Sequence, residues 1–147
     1  MTLVVDASVV LKWMLNDRVN EADTETATAL MRSILDGSES VLQPVHWLLE
    51  VAAVLARVSP QTAEHDVALL QALELPTDES PDVLGRACGL AIELDRHLFD
   101  TLYHAVALER PDAMLVTADE RYLAAGASLG RVTPLAAWKP RSQSSAE

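Results

Sequence analysis

Two short runs of apolar residues, each closed by an aspartate and followed at once by a helical pattern, constrain this chain more than any other feature. Leu3-Val4-Val5 ends at Asp6, and Met114-Leu115-Val116-Thr117-Ala118 ends at Asp119. A brief Leu/Val run that stops at an acid and a helix is the pattern of a parallel strand buried on both faces. The carboxyl edge of such a sheet is where open α/β folds bind ligands, and two such edges can meet in space. Two further acids interrupt apolar helical stretches, Glu50 within His46 to Leu55 and Asp100 within Leu98 to Leu108. Four acids entering one core from four segments repel one another unless a cation gathers them, and oxygen-only ligands favour Mg²⁺ or Mn²⁺. A metal-dependent active site is the resulting expectation.

At 147 residues, half of them apolar, the chain has the size of one domain with a substantial core. A net charge of -11 repels a phosphate backbone at long range. Setting the four proposed ligands aside still leaves an acidic surface, so nucleic-acid binding requires a local basic rim or bound metal. The single Cys88 cannot form an internal disulfide, which fits a reducing compartment, and its apolar helical setting predicts a buried structural thiol. The amino terminus lacks a basic signal region and no apolar stretch approaches a membrane span, so a cytoplasmic location without membrane partners is expected. Neither a glycine-rich phosphate loop nor a Gly-x-Ser-x-Gly elbow is present, which argues against Ser8 as a nucleophile.

The order of elements supports an α/β reading. Strands are expected at Leu3 to Val5, Val41 to Gln43, Leu73 to Leu75, Met114 to Thr117 and Arg131 to Leu135. Helices are expected over Val9 to Met14 with Ser8 as cap, over Ala27 to Leu35 with Gly37 as stop, and after Pro44. Two more open at Ser59-Pro60 and Ser80-Pro81, reaching about Leu73 and Asp95. Strands alternating with helices predict a three-layer α/β/α sandwich with a short, mainly parallel central sheet, helix-rich for its class. The domain is expected over residues 1–138, with a Ser-rich disordered tail over 139–147.

Four motifs in order now carry a family likeness: Val4-Val5-Asp6-Ala7-Ser8, Glu50-Val51-Ala52, Phe99-Asp100-Thr101-Leu102-Tyr103 and Val116-Thr117-Ala118-Asp119. The chain resembles PIN-domain ribonucleases, specifically the VapC-type toxins of bacterial and archaeal type II toxin-antitoxin modules, from Met1 to about Leu135. The resemblance implies that Asp6, Glu50, Asp100 and Asp119 bind one or two divalent ions. Asp6 and Asp100 would hold the principal ion, while Ser8 and Thr117 orient the ligands by hydrogen bonds. It also implies an RNA substrate, a cognate antitoxin that occludes the pocket, and a homodimer formed through helices. The chain has Ala53 where family members often carry Asn. The four anions without metal predict that at least one holds a proton.

Simpler readings compete. Asp6 and Asp119 can serve as helix caps, whereas an unpaired acid on an apolar helix, as at Glu50 and Asp100, is costly to bury. His46 and His104 each lie four residues from one of these acids, but packing explains them better than metal ligation. His65 is expected on a solvated face and His97 at a helix end. Lys12, Arg18 and Arg121 fall near the sheet edge, where they could meet phosphates or simply add solubility. Trp13, Trp47 and Trp138 could stack bases, although the apolar neighbours of Trp13 and Trp47 favour packing. Alternative functions are an RNA-processing nuclease without an antitoxin, a phosphorylation-switched receiver-like module, which Thr117 and Lys139-Pro140 match superficially, or a PIN fold kept only for binding.

Overall fold

Described by a computed structural model over residues 1–15 and 23–141, the chain begins with β1 (Thr2–Val5), α1 (Ala7–Met14), α2 (Thr24–Leu35), β2 (Ser40–Val41) and β3 (Gln43–Pro44). It continues through α3 (Trp47–Val58), α4 (Ala63–Ala72), β4 (Thr77–Asp78), α5 (Pro81–Leu94) and α6 (Leu98–Glu109). β5 (Ala113–Thr117), α7 (Glu120–Gly126) and β6 (Val132–Pro134) complete it. Leu3, Val4 and Val5 are all buried, as a strand covered on both faces requires.

The fold is a helix-rich α/β with a parallel central sheet of four strands in the order β2-β1-β5-β6. β1 and β5 form its centre, with Thr2 opposite Ala113 and Val5 opposite Val116. The chain moves outward from β1 to β2 and, in the opposite direction, from β5 to β6. Right-handed crossovers then put the connecting helices on opposite faces. Between β1 and β5 the winding reverses, which opens a crevice at their carboxyl ends. α6 packs on both central strands. Its residues from Thr101 to Ala107 are all buried, because this helix is apolar around nearly its whole circumference.

Gln43 solves a pairing problem beside that crevice. β2 accompanies β1 only as far as Leu3, whose carbonyl still accepts from the Leu42 amide at 3.0 Å. The Gln43 backbone then turns away to pair with β4, its amide donating to the Pro76 carbonyl at 2.9 Å. Val5 would thus lose its partner on that side, but the Gln43 side chain replaces it. The Val5 amide donates to Gln43 Oε1 at 2.8 Å, and Gln43 Nε2 donates to the Val5 carbonyl at 2.9 Å. A carboxamide has the donor and acceptor of a peptide unit, so this fully buried side chain extends the ladder to the residue before Asp6.

Several local expectations change. The run Val41 to Gln43 is divided between two sheets, and Pro44 lies in β3 rather than opening a helix. Asp6, not Ser8, caps α1, since its side chain is the acceptor facing the first turn. The Ser59 amide bonds to the Leu55 carbonyl and so finishes α3. Pro60 therefore falls in a turn, and α4 begins only at Ala63. Leu73 to Leu75 is not a strand: Leu73 ends α4 and Glu74 turns the chain at φ 49°, leaving Thr77–Asp78 to pair. Leu135 lies in a short 3-10 turn after β6. Ser80 and Pro81 do open α5 as expected, and Gly37 has the positive φ of 80° that suits its place after α2.

Cys88 is exposed rather than buried. Val83, Ala87 and Leu90 form the inward stripe of α5, and the next position round the helix carries Cys88 outward with Leu84 and Ile92. Trp13, Trp47 and Trp138 are buried. Lys139 to Arg141 are exposed, with Arg141 Nη2 3.1 Å from the Met1 carbonyl and 3.3 Å from Glu39. The rest of the expected tail, residues 142–147, and Arg18 lie outside the described residues. Among those described, no helix is long and apolar enough to cross a membrane.

Replacing Gln43 by Leu keeps its bulk and strips both Val5 groups of their partner. Gln43→Leu is expected to lower the unfolding free energy by about 2–5 kcal/mol in chemical denaturation. An unchanged denaturation midpoint would mean that water or a shifted strand replaces the amide.

Candidate active site

The turns after β1 and β5 are joined by one hydroxyl. Asp6 is held to the neighbouring strand by its amide, which donates to the Val116 carbonyl at 3.0 Å. Its Oδ2 accepts from the Ser8 amide at 3.0 Å and from Ser8 Oγ at 2.5 Å, capping α1. Ser8 Oγ also accepts from the Ala118 amide at 3.0 Å. Thr117 Oγ1 accepts from the Asp119 amide at 3.0 Å. Asp119 Oδ1 accepts from the Arg121 and Tyr122 amides at 3.0 and 3.1 Å, capping α7. Both aspartates are therefore helix caps, and in each a single carboxylate oxygen takes both bonds.

Glu50 and Asp100 enter from the first turns of α3 and α6. Tyr103, on α6 and fully buried, donates its hydroxyl to Glu50 Oε2 at 3.0 Å. His46 Nε2 lies 3.0 Å from the same oxygen and 2.9 Å from the Phe99 carbonyl. Two acceptors around Nε2 require that nitrogen to carry a proton, whatever the state of Nδ1. That Nδ1 is buried and has no hydrogen-bond partner among the described residues. Asp100 is partly buried beside these groups.

Electrostatic coupling runs through all four acids. The Asp6 carboxyl is pushed up from 3.8 to about 6, chiefly by burial, with the charges of Glu50 and Asp100 adding and the Ser8 bonds opposing. Asp100 is raised too, first by burial and then by Glu50 and Asp119, while His97 and Arg96 pull it down. The proton expected on a crowded acid is thus favoured at Asp6 and Asp100, although desolvation outweighs mutual repulsion as the cause. The Tyr103 hydroxyl is shifted far upward by burial and by Glu50, so it remains a donor at working pH.

Among the described residues, no three His, Cys, Asp or Glu side chains stand close enough together to hold a metal ion as arranged. The reason lies in their partners. Asp6 is turned to Ser8, Glu50 to Tyr103 and His46, and Asp119 to the α7 amides. In chemistry the set fits a hard divalent cation, being all oxygen, anionic and mutually repelling. The imidazoles fit less well. His104 is buried with both nitrogens bonded, Nε2 donating to the Gly130 carbonyl at 2.8 Å and Nδ1 accepting from the Tyr122 hydroxyl at 2.8 Å. His97 Nδ1 accepts from the Phe99 amide at 3.0 Å and caps α6, and His65 is exposed.

Lys12 lines a cleft of about 140 Å³ with Thr117, Asp119 and Pro134, and Arg121 is exposed on the first turn of α7. Ala53 is exposed on α3. Sequence reasoning assigned no role to Gln43 or Tyr103. Tyr103 sits one helical turn beyond Asp100, a spacing that could have singled it out as a neighbour, whereas nothing in the pattern marks Gln43.

The chain matches the PIN domain over residues 3–127, a span that takes in all four carboxylates. It belongs to the PIN-domain family. PIN domains are generally nucleases, hydrolases acting on nucleic acid, and typically use divalent metals. This PIN domain thus has a nuclease fold. No curated protein matches the chain.

The raised Asp6 carboxyl has a sign that can be tested. Between 3.8 and about 6 the folded chain holds a proton that the unfolded chain has released, so this group's contribution to stability falls as pH rises through that window. Measured by denaturation in metal-free buffer, the unfolding free energy of wild type minus that of Asp6→Asn should fall by on the order of 2–3 kcal/mol from pH 4 to 6. A difference that stays flat would show that Asp6 titrates in the folded chain as it does unfolded.

Proposed function

We propose that this PIN domain is a metal-dependent endoribonuclease that hydrolyses RNA phosphodiester bonds, and that it is the toxin of a type II toxin-antitoxin module. The nuclease reading rests on one observation above all: four electrostatically coupled carboxylates from four segments at the point where the sheet winding reverses. In this reading Asp6 and Asp100 hold the principal Mg²⁺ or Mn²⁺, and Glu50 and Asp119 complete or share its surroundings. When bound, such an ion stabilises phosphoryl charge and lowers the pKa of a nearby water.

The chain's own groups set up the site around that ion. Ser8, bonded to Asp6 and to the Ala118 amide, fixes the spacing of the two strand-end turns. Thr117 fixes the turn that presents Asp119. Tyr103 and His46 hold Glu50 from its Oε2 side, and the buried Tyr103 ring excludes water behind it. Protons on Asp6 and Asp100 must leave when a cation binds, which makes occupation pH-dependent.

The toxin assignment rests on the likeness of the four motifs to VapC-type chains. It carries with it a cytoplasmic location, an antitoxin partner over the acidic pocket and a homodimer. The exposed stripe of Leu84, Cys88 and Ile92 on α5, with Leu49 on α3 at 75% exposure, supplies apolar helical surface for such contacts.

Purified protein should cut a structured RNA pool with Mg²⁺ or Mn²⁺ and not with EDTA. Asp6→Asn and Asp100→Asn should each lower the rate at least about 100-fold while leaving helix content by circular dichroism intact. Mn²⁺ should also raise the thermal midpoint of the wild type and not of the two variants. Normal cutting by both variants would remove these residues from the site.

A further inference from the structure

Aromatic side chains are few here: three Trp, two Tyr and one Phe, all within the described residues. Five of them are buried, Tyr103 completely and Trp138 at 8% exposure, so the tryptophans have no face to offer a ligand. Phe99 is the exception at 46% exposure, and it immediately precedes Asp100. Singly exposed apolar residues are ordinary on any protein surface. What sets this one apart is its company.

The Phe99 ring, about half exposed, packs against two imidazoles that lie close to the acids. One is His46, with ring centroids 4.9 Å apart, whose Nε2 reaches Glu50 and the Phe99 carbonyl. The second is His97, at 4.8 Å with its ring tilted 68° to that of Phe99, whose Nδ1 accepts from the Phe99 amide. The charges of His97 and Arg96 are felt at Asp100. The ring is thus held by two imidazole contacts, one of them to the histidine that bonds Glu50, and stays partly open to solvent, with Arg96 just ahead of α6.

Resting on the nuclease reading, we propose that Phe99 is the stacking platform on which a nucleobase of single-stranded RNA sits next to the cleavage site. Such strands are held where a base finds an aromatic face and the adjoining phosphate finds positive charge. Every base has a π-face, so the platform would take an unpaired nucleotide with little regard to its identity. A base inside a duplex has both faces covered and would be refused. Phe99 thus selects for loops and unpaired ends over helices.

The test uses the full chain carrying Asp6→Asn, which on the nuclease reading no longer cuts, titrated with a labelled single-stranded oligoribonucleotide and with a strand of equal length lacking its bases. Adding Phe99→Leu should weaken binding of the base-bearing strand about tenfold and leave the abasic strand unchanged, and Phe99→Trp should restore parental affinity. Equal binding of the base-bearing strand by parent and Phe99→Leu overturns the proposal. So does an equal loss on both strands, which would make the ring a support of the site. Intact RNA binding together with a shift from dimer to monomer in sedimentation would instead make Phe99 a contact between copies. Were the wild type neither to cut nor to bind RNA, the nuclease reading would fail and take this inference with it; cutting by the wild type with no effect of Phe99→Leu sinks the inference alone.

Discussion

Parallel pairing of β1 with β5 is the constraint on which everything at the sheet edge depends. It sets Val5 opposite Val116, and the Asp6 amide continues the ladder by one bond to the Val116 carbonyl. From there the two chains diverge into helices of opposite faces, and nothing in the ladder itself would keep the two aspartates at a fixed distance. Ser8 does so. Its hydroxyl donates to Asp6 and accepts from the Ala118 amide, so a single oxygen spans the gap that the reversal of winding opens. Gln43 secures the same strand end from the opposite side. Asp6 is thus bounded on both flanks by groups that cannot easily move, being buried or bonded at each end.

Such bracing is needed because the site opposes folding. Burial raises the carboxyls of Asp6 and Asp100, and the remaining acids add repulsion. A domain is only marginally stable, so a cluster of this kind persists where the surroundings over-determine it. The core under the edge supplies that: α6 is buried through seven successive residues, and Tyr103 among them donates to Glu50 from within the apolar layer. The unmatched Nδ1 of His46 belongs to the same economy of constraint. Nε2 serves both Glu50 and the Phe99 carbonyl, and the imidazole packs against Phe99 and Tyr103 with its other nitrogen buried and without a partner among the described residues.

The parts of the fold legible in the sequence are those encoded by nearest-neighbour chemistry repeated over several residues. β1 and β5 are runs of largely buried aliphatic residues, and Ser80-Pro81 opens α5 with a first-turn proline and with Ser80 at the N-cap position, although its side chain makes no capping bond. All four acids are likewise visible as charges interrupting apolar patterns. What escapes is decided by partners far away in the chain. Val41 to Gln43 looks like one strand because its residues suit one, yet the break after Val41 comes from β4 claiming the Gln43 backbone. Ser59-Pro60 resembles a helix opening locally, but the Ser59 amide is already taken by α3. Cys88 shares a helical apolar pattern with Ala87, and one residue of rotation separates the buried from the exposed. The single exposed aromatic could not be told from the five buried ones by composition at all.

Charge sets the terms on which such a protein could meet RNA. With a net charge of -11 the molecule as a whole repels a phosphate chain, so affinity cannot come from a broad basic surface of the kind that holds duplexes through counterion release. It has to be gathered at short range, where the field of individual groups outweighs that of the whole. Arg96, whose charge reaches Asp100, and Arg121 on the first turn of α7 are local sources of positive potential, and the proposed ion would be a third. The stacking proposed for Phe99 would be indifferent to net charge and would add where Coulomb attraction is weak. On the proposed function, an acidic exterior around a cation-gathering centre would discriminate by geometry: a phosphate would be attracted only within reach of the site, and distant contacts would contribute repulsion. The acidic surface, which at first argues against nucleic acid, would then become a reason for the selectivity of one small site.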